Sequence, residues 1–154
     1  MAGGKGTRLM PLTKDIPKPM LNVGDKPILE YNVDLLKSFG ITHLTLSVNH
    51  LAKKIIDYFN NGSKHGIQIN YVTEDKPLGT IGAVKQISHF YNDYILVMNS
   101  DLLTNINLET MFNELLSNNA EMIIATTDYE VKIPYGVIES NGTQITALKE
   151  KPTY

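Results

Sequence analysis

Apolar positions along this chain switch repeatedly between a helical and a strand period. From Pro27, "PILEYNVDLLKSFG" places Ile28, Tyr31, Leu35, Leu36 and Phe39 at helical spacing. Pro27 suits a first helical turn and Gly40 suits the stop. "THLTLSV" (42–48) alternates and is rich in β-branched residues, which predicts a strand. "LAKKIIDYFNNG" (51–62) has the pattern of an amphipathic helix ended by Asn and Gly. "IQINYV" (67–72) predicts a strand, and "TIGAVKQISHF" (80–90) a helix after the loop "EDKPLG". "YILVMNSD" (94–101) has the pattern of a buried strand ending in polar residues. "NLETMFNELLSNN" (107–119) predicts a helix, "EMIIATTDY" (121–129) a strand, and "YGVIESNGTQITALKEKP" a hairpin turned at Asn141-Gly142.

Strands that alternate with helices at this spacing imply an α/β fold with a mostly parallel sheet and helices on both faces. Ligands of such sheets bind beyond the carboxyl ends of the strands. "VNHL", "TEDKPLG", "NSDLL" and "TTDYE" all fall at those ends. The 154 residues fit one domain (1–154). The glycine-rich start lacks the strand that feeds such a loop, and the chain stops at "EKPTY" without a helix cap. The expectation is therefore a domain truncated at both ends.

Composition narrows the chemistry. Apolar residues make up 42%, enough for an ordinary core, and the apolar runs are strand-sized, so no membrane span is expected. A net charge of −2 argues against a general nucleic-acid surface, so any phosphate affinity must be local. The absence of cysteine excludes disulfides, thiolate catalysis and Cys-ligated zinc. With no apolar targeting segment at the start, the expected location is cytoplasmic. His43, His50, His65 and His89 show no metal-ligand spacing.

Three stretches carry candidate chemistry. "AGGKGTRL" is neither a P-loop nor a dinucleotide fingerprint, because no Gly-Lys-Ser/Thr closes it and Leu9 replaces the last glycine. Gly3, Gly4 and Gly6 nevertheless permit close backbone approach, so successive N–H groups can form a nest for phosphate oxygens. Arg8 adds a rigid fork of donors. The competing account is a flexible tail, and Arg8 and Lys18 tip the balance towards phosphate. In "DIPKPML", Pro17 and Pro19 stiffen the loop around Lys18, which suits a cation that must meet a phosphate at one position. An exposed turn lysine is an even alternative, and Lys14 and Lys26 are expected on the surface. Asp101 ends the run "ILVMNSD", a place where a carboxylate can hold Mg²⁺ or merely cap a helix.

Taken together and in this order, "GGKGTRLMPLT", "PKPML" and "KPIL" resemble the signature of the sugar-phosphate nucleotidylyltransferases, also called nucleotide-sugar pyrophosphorylases. "PLGTIGAV" (77–84), "NSD" (99–101), "YGVI" (135–138) and "EKP" (150–152) extend the resemblance along the whole chain. The resemblance implies a Rossmann-like fold of the nucleotide-diphospho-sugar transferase type. It implies a reaction in which a nucleoside triphosphate and a sugar 1-phosphate give a nucleotide sugar and pyrophosphate. Gly3, Gly4, Gly6 and Thr7 would then cradle the triphosphate, and Arg8 would hold its β/γ-phosphates. Lys18 would bridge the α-phosphate and the sugar phosphate, and Asp101 would carry Mg²⁺. Gly136, Glu150 and Lys151 match positions near the sugar phosphate, while Glu74 and Gly79 match the base-reading loop. A Glu74 carboxylate accepting two hydrogen bonds would favour guanine, hence GTP, and "PLGTIGA" also looks like the guanylyl members; a merely solvated Glu74 is the alternative. Other acceptors, such as phosphocholine or a sugar acid, stay open, as does a noncatalytic binding module and homo-oligomerisation. The resemblance also implies a second metal-binding aspartate beyond residue 154, so this stretch by itself is expected to turn over little substrate.

Overall fold

The computed structural model describes every residue except Met1, Lys5, Lys76, Pro77 and Thr80. The predicted helix 80–90, the base loop 73–79 and the motif 77–84 are therefore described only in part. The chain divides into two compact units, Met1–Leu108 and Glu109–Tyr154.

The first unit begins with the glycine loop, a 3₁₀ turn at Thr7–Leu9 and a second at Lys18–Met20. Two short antiparallel strands follow, β1 (Asn22–Val23) and β2 (Lys26–Pro27). Helix α1 (Ile28–Ser38) starts directly after Pro27, as the sequence pattern requires. Its end is closed by Gly40, which adopts a left-handed conformation. There Phe39 N and Ile41 N donate to Leu36 O and Gly40 N to Lys37 O, so carbonyls of the last turn are satisfied. Strand β3 (His43–Val48), helix α2 (Ala52–Phe59) and strand β4 (Gln68–Thr73) form a parallel crossover. The register runs from His43 opposite Gln68 to Val48 opposite Thr73.

This unit has a continuous apolar core. Ala2, Leu29 and Val33 meet Leu46 and Val48 of β3, Ile55 and Phe59 of α2, and Ile67 and Ile69. Leu46, Ser47 and Val48 are all buried in succession, which is the behaviour of a parallel strand covered on both faces. A second, polar knot lies where α1 meets α2. Tyr58 Oη donates to Glu30 Oε2 at 2.6 Å, and His65 stacks on Tyr58 while its Nδ1 lies 3.8 Å from Glu30 Oε1. The bond to Glu30 pushes the Tyr58 phenol up to about 12.

The second unit contains most of α3 (Leu108–Ser117) and the antiparallel hairpin β5 (Val137–Asn141) and β6 (Gln144–Lys149). Asn141 pairs with Gln144, so the two-residue turn is Gly142-Thr143, one residue later than the sequence pattern placed it. Gly142 takes positive φ there, which a two-residue hairpin turn needs.

Three expectations are corrected. Residues 94–101 and 121–129 are not strands, and the predicted helix 80–90 is reduced to a 3₁₀ segment at Gly82–Gln86. Among the described residues, parallel pairing is confined to β3 and β4. Strand formation needs a neighbour to supply ladder bonds, and an apolar run alone does not provide one. Tyr94–Val97, Met122 and Ile124 are accordingly exposed. Among the described residues, no helix is long and apolar enough to cross a membrane.

Candidate nucleotide site

The glycine loop is docked on the carboxyl end of the parallel pair. Ala2 N donates to Ser47 O at 2.8 Å, which carries the following glycines over the end of β3. Gly3 sits there against Asn49 and Glu74: a Cβ on Gly3 would come 3.2 Å from Asn49 Cβ and 3.5 Å from Glu74 Oε1. Gly4 is exposed, with open space where a side chain would be. Gly6 has a different constraint. Its φ is +61°, and a Cβ would approach Thr13 Cγ2 to 2.9 Å and Lys18 Cβ to 3.3 Å. An L side chain at residue 6 would thus be strained and would push on Lys18.

Thr13 is buried, and its hydroxyl donates to Gly6 O at 2.9 Å, tying the far side of the loop back to its start. Between these points lies the 3₁₀ turn that carries Thr7 and Arg8. Both side chains are exposed. The backbone N–H groups of Gly3, Gly4, Gly6 and Thr7 make no hydrogen bond among the described residues. Backbone donors without a partner among the described residues, next to an exposed guanidinium, are suited to an anion.

Lys18 opens its own 3₁₀ turn between two buried prolines, so its backbone is held as the sequence predicted. Its Nζ makes an ion pair with Asp101 Oδ2, joining residues 83 positions apart. Both side chains are partly open to solvent. Asp101 follows Ser100, whose carbonyl accepts from the buried Asn32 amide at 3.0 Å. Lys14 is exposed, and Lys26 is engaged elsewhere: it pairs with Asp34 and lies 4.4 Å from the Tyr31 ring centre.

Glu74 is buried rather than solvated. Ser47 Oγ donates to its Oε1, and Leu78 N donates to its Oε2 at 3.0 Å. Asn49 Nδ2 donates to its backbone carbonyl. Both carboxylate oxygens are therefore engaged within the chain, one of them by the backbone of Leu78. Gly79 is exposed, with positive φ and open surroundings.

Gly136, Glu150 and Lys151 lie in the second unit, where they come together. A Cβ on Gly136 would approach Glu150 Oε2 to 3.2 Å, and Lys151 N donates to Tyr135 O at 3.2 Å. Lys151 itself has positive φ.

The sequence patterns did not single out Thr13, Asn32, Ser47 or Asn49. Asn32 left a visible trace, a polar residue on a helix face otherwise made of Leu29, Val33 and Leu36. The other three sit in segments where polar residues are ordinary.

A parallel pair with a glycine loop, a lysine and an aspartate gathered at its carboxyl end defines a class of nucleotide-binding α/β proteins. Residues 1–154 match the nucleotidyl transferase family throughout, and the chain belongs to that family. It is 34% identical to a UTP–glucose-1-phosphate uridylyltransferase of Synechocystis, over 99% of this chain and 43% of that protein. It is equally identical to a D-glycero-alpha-D-manno-heptose 1-phosphate guanylyltransferase of Aneurinibacillus thermoaerophilus, over 98% of this chain and 66% of that protein. The crystal structure of HddC from Yersinia pseudotuberculosis in complex with GMP-PN shares its fold, with a TM-score of 0.66 and 27% identity. That match covers 97% of this chain and 67% of HddC. The chain thus spans between 43% and 66% of the length of these two curated relatives.

Proposed function

We propose that the protein carrying this chain transfers a nucleotidyl group from a nucleoside triphosphate to a sugar 1-phosphate, releasing pyrophosphate. The observation that carries this reading is the convergence of the Gly3–Arg8 loop, Lys18 and Asp101 at one strand end. Relatives along nearly the whole chain that bear sugar-1-phosphate nucleotidyltransferase names support it.

In this mechanism an oxygen of the sugar phosphate attacks the α-phosphorus in line. The bond from the α-phosphorus to the bridging oxygen breaks, and pyrophosphate leaves. Two anions must approach each other, so the protein's main task is to position them and offset their charge. The N–H groups of Gly3, Gly4, Gly6 and Thr7 receive the triphosphate oxygens. Arg8 holds the β/γ end and stabilises the charge that grows on the leaving group. Lys18 lies between the α-phosphate and the sugar phosphate. Its present ion pair with Asp101 gives it a partner that a phosphate would displace. Gly136, Glu150 and Lys151 bind the sugar phosphate in this reading, with Glu150 accepting from sugar hydroxyls.

Asp101 fits Mg²⁺ through its donor chemistry. It is a hard carboxylate oxygen ligand, and Mg²⁺ commonly takes one or two carboxylates and completes its shell with phosphate oxygens and water. Among the described residues, no cluster of three His, Cys, Asp or Glu side chains forms a closed cage, so the substrate would supply most of the shell. When bound there, Mg²⁺ would neutralise charge on the triphosphate.

The favoured donor is GTP, supported by the guanylyltransferase relatives and by the GMP-PN complex of HddC. Glu74 acts here as a strut: with one oxygen on Ser47 and the other on Leu78 N, it holds Leu78 beside the place where the base would lie. A cysteine-free chain with water-soluble phosphorylated substrates fits the cytoplasm.

Pyrophosphate release by the whole protein tests the reading. GTP, dTTP, UTP and CTP are each paired with several sugar 1-phosphates. Turnover that needs both substrates, fastest with GTP, is expected. No release with any pair would overturn the proposed reaction, and a preference for UTP would overturn only the choice of base.

A further inference from the structure

We infer that Asn32 is a positioning residue for Asp101, fixing the carboxylate through the backbone of Ser100; this rests on the role proposed above for Asp101. Asn32 occupies the core-facing side of α1, between Leu29, Val33 and Leu36, and is 3% exposed. An aliphatic side chain would fill that place at no polar cost, whereas a buried amide is tolerated only when its groups are partnered. The Asn32 Nδ2 group has two partners. One is local, Ile28 O at 3.4 Å, the long bond a helix offers to its own side chains. The other is Ser100 O, at 3.0 Å and 68 positions away, in buried surroundings.

This second bond is geometrically selective. Ser100 is 4% exposed, and its carbonyl belongs to the peptide that joins it to Asp101. Fixing that carbonyl fixes the plane of the peptide, and with it the direction in which the Asp101 Cα–Cβ bond leaves the chain. Asp101 then reaches Lys18, which is held by its two buried prolines. Helix α1 thereby supplies one side of the Lys18–Asp101 pair from beneath, without touching the reacting groups. Residues 94–99 belong to no strand ladder among the described residues, and the Asn32 bond ties the chain at residue 100, next to the carboxylate. Groups that orient a metal-binding carboxylate from behind commonly matter by one to two orders of magnitude.

The test uses the whole protein with Mn²⁺ as a spectroscopic substitute for Mg²⁺ and a nonhydrolysable GTP analogue. Mn²⁺ binding is followed by electron paramagnetic resonance, alongside kcat and KM for GTP and the thermal unfolding midpoint. Asn32→Leu keeps the volume but removes the donor, and Asn32→Ser, whose hydroxyl is too short to reach Ser100, stands in if the leucine variant does not fold. Either variant should weaken Mn²⁺ binding by about 10-fold or more and lower kcat by a similar factor, with KM for GTP changed less than about 3-fold. Asp101→Asn should weaken Mn²⁺ binding at least as much, and adding Asn32→Leu or Asn32→Ser to it should change binding by less than about 2-fold. If Asp101→Asn leaves Mn²⁺ binding unmoved, the metal role of Asp101 falls and this inference with it. If Asp101→Asn weakens binding while the Asn32 variants only lower the unfolding midpoint, the positioning role alone is overturned.

Discussion

The two units of this chain are stabilised in different ways. In Met1–Leu108, nine buried residues from the amino-terminal segment, α1, β3, α2, β4 and the residue just before it form one apolar cluster. In Glu109–Tyr154, Leu115 is the buried apolar residue among those described, while Ile138, Ile145 and Leu148 of the hairpin are exposed. The second unit's order comes from backbone ladder bonds and from surface contacts such as Lys149 with Glu139. Burial fixes side chains in three dimensions, because close packing resists displacement in every direction. A two-stranded ladder fixes register along one line and leaves each face free. The candidate triphosphate-handling groups stand on the packed unit, where Thr13 donates to Gly6 O and a Cβ on Gly6 would meet both Thr13 and Lys18. Gly136, Glu150 and Lys151 stand on the hairpin unit, where they are exposed.

The largest expected effect separates the units by activity. Arg8→Ala in the whole protein should lower turnover by about two orders of magnitude or more, because a donor aimed at developing charge is removed. Steady-state pyrophosphate release measures it, and unchanged turnover would remove Arg8 from the site.

Stability should draw the same contrast. Phe59 is 1% exposed and packs edge-on to Tyr58, with ring centres 4.9 Å apart. Phe59→Ala should cost about 3–5 kcal/mol in urea unfolding, from lost burial and the cavity left behind. Leu148→Ala, at a position 70% exposed, should stay within about 0.5 kcal/mol. Equal losses from the two variants would show that the hairpin is as tightly packed as the core.

The smallest expected effect is one of pH. The Tyr58 phenol is raised from 10.0 to about 12 in the folded protein by its bond to Glu30. The protonated form is the one the fold favours, so its contribution is fully present below pH 10 and fades as pH rises from 10 through 12. Tyr58→Phe should flatten the fall in urea midpoint between those values, and ultraviolet titration should show one late-ionising tyrosine missing. A Tyr58 that ionises with the exposed tyrosines would contradict the assigned bond.

Several elements were legible from period alone. The helix after Pro27, the strands at 43–48 and 68–73, the helix between them and the hairpin all follow from spacing and turn residues. Each is a local pattern whose partner lies within reach along the chain. "YILVMNSD" and "EMIIATTDY" carry equally strong apolar signals, yet neither is a strand, because a ladder depends on what lies alongside. The same division runs through the site. Glycines, Arg8 and the proline-flanked Lys18 pointed to an anion-binding loop by residue type, which is the reading proposed for them.

What the sequence by itself determined was therefore the local conformations and the chemical character of the loop, since torsional preference and side-chain charge belong to each residue. The tertiary structure alone decided that Lys18 meets Asp101, that Glu74 is spent on Ser47 and Leu78, and that Asn32 of α1 holds the Ser100 carbonyl. Those pairings join residues from 4 to 83 positions apart. Most are set by how elements pack, and neither spacing nor composition encodes which distant partner a buried polar group will find.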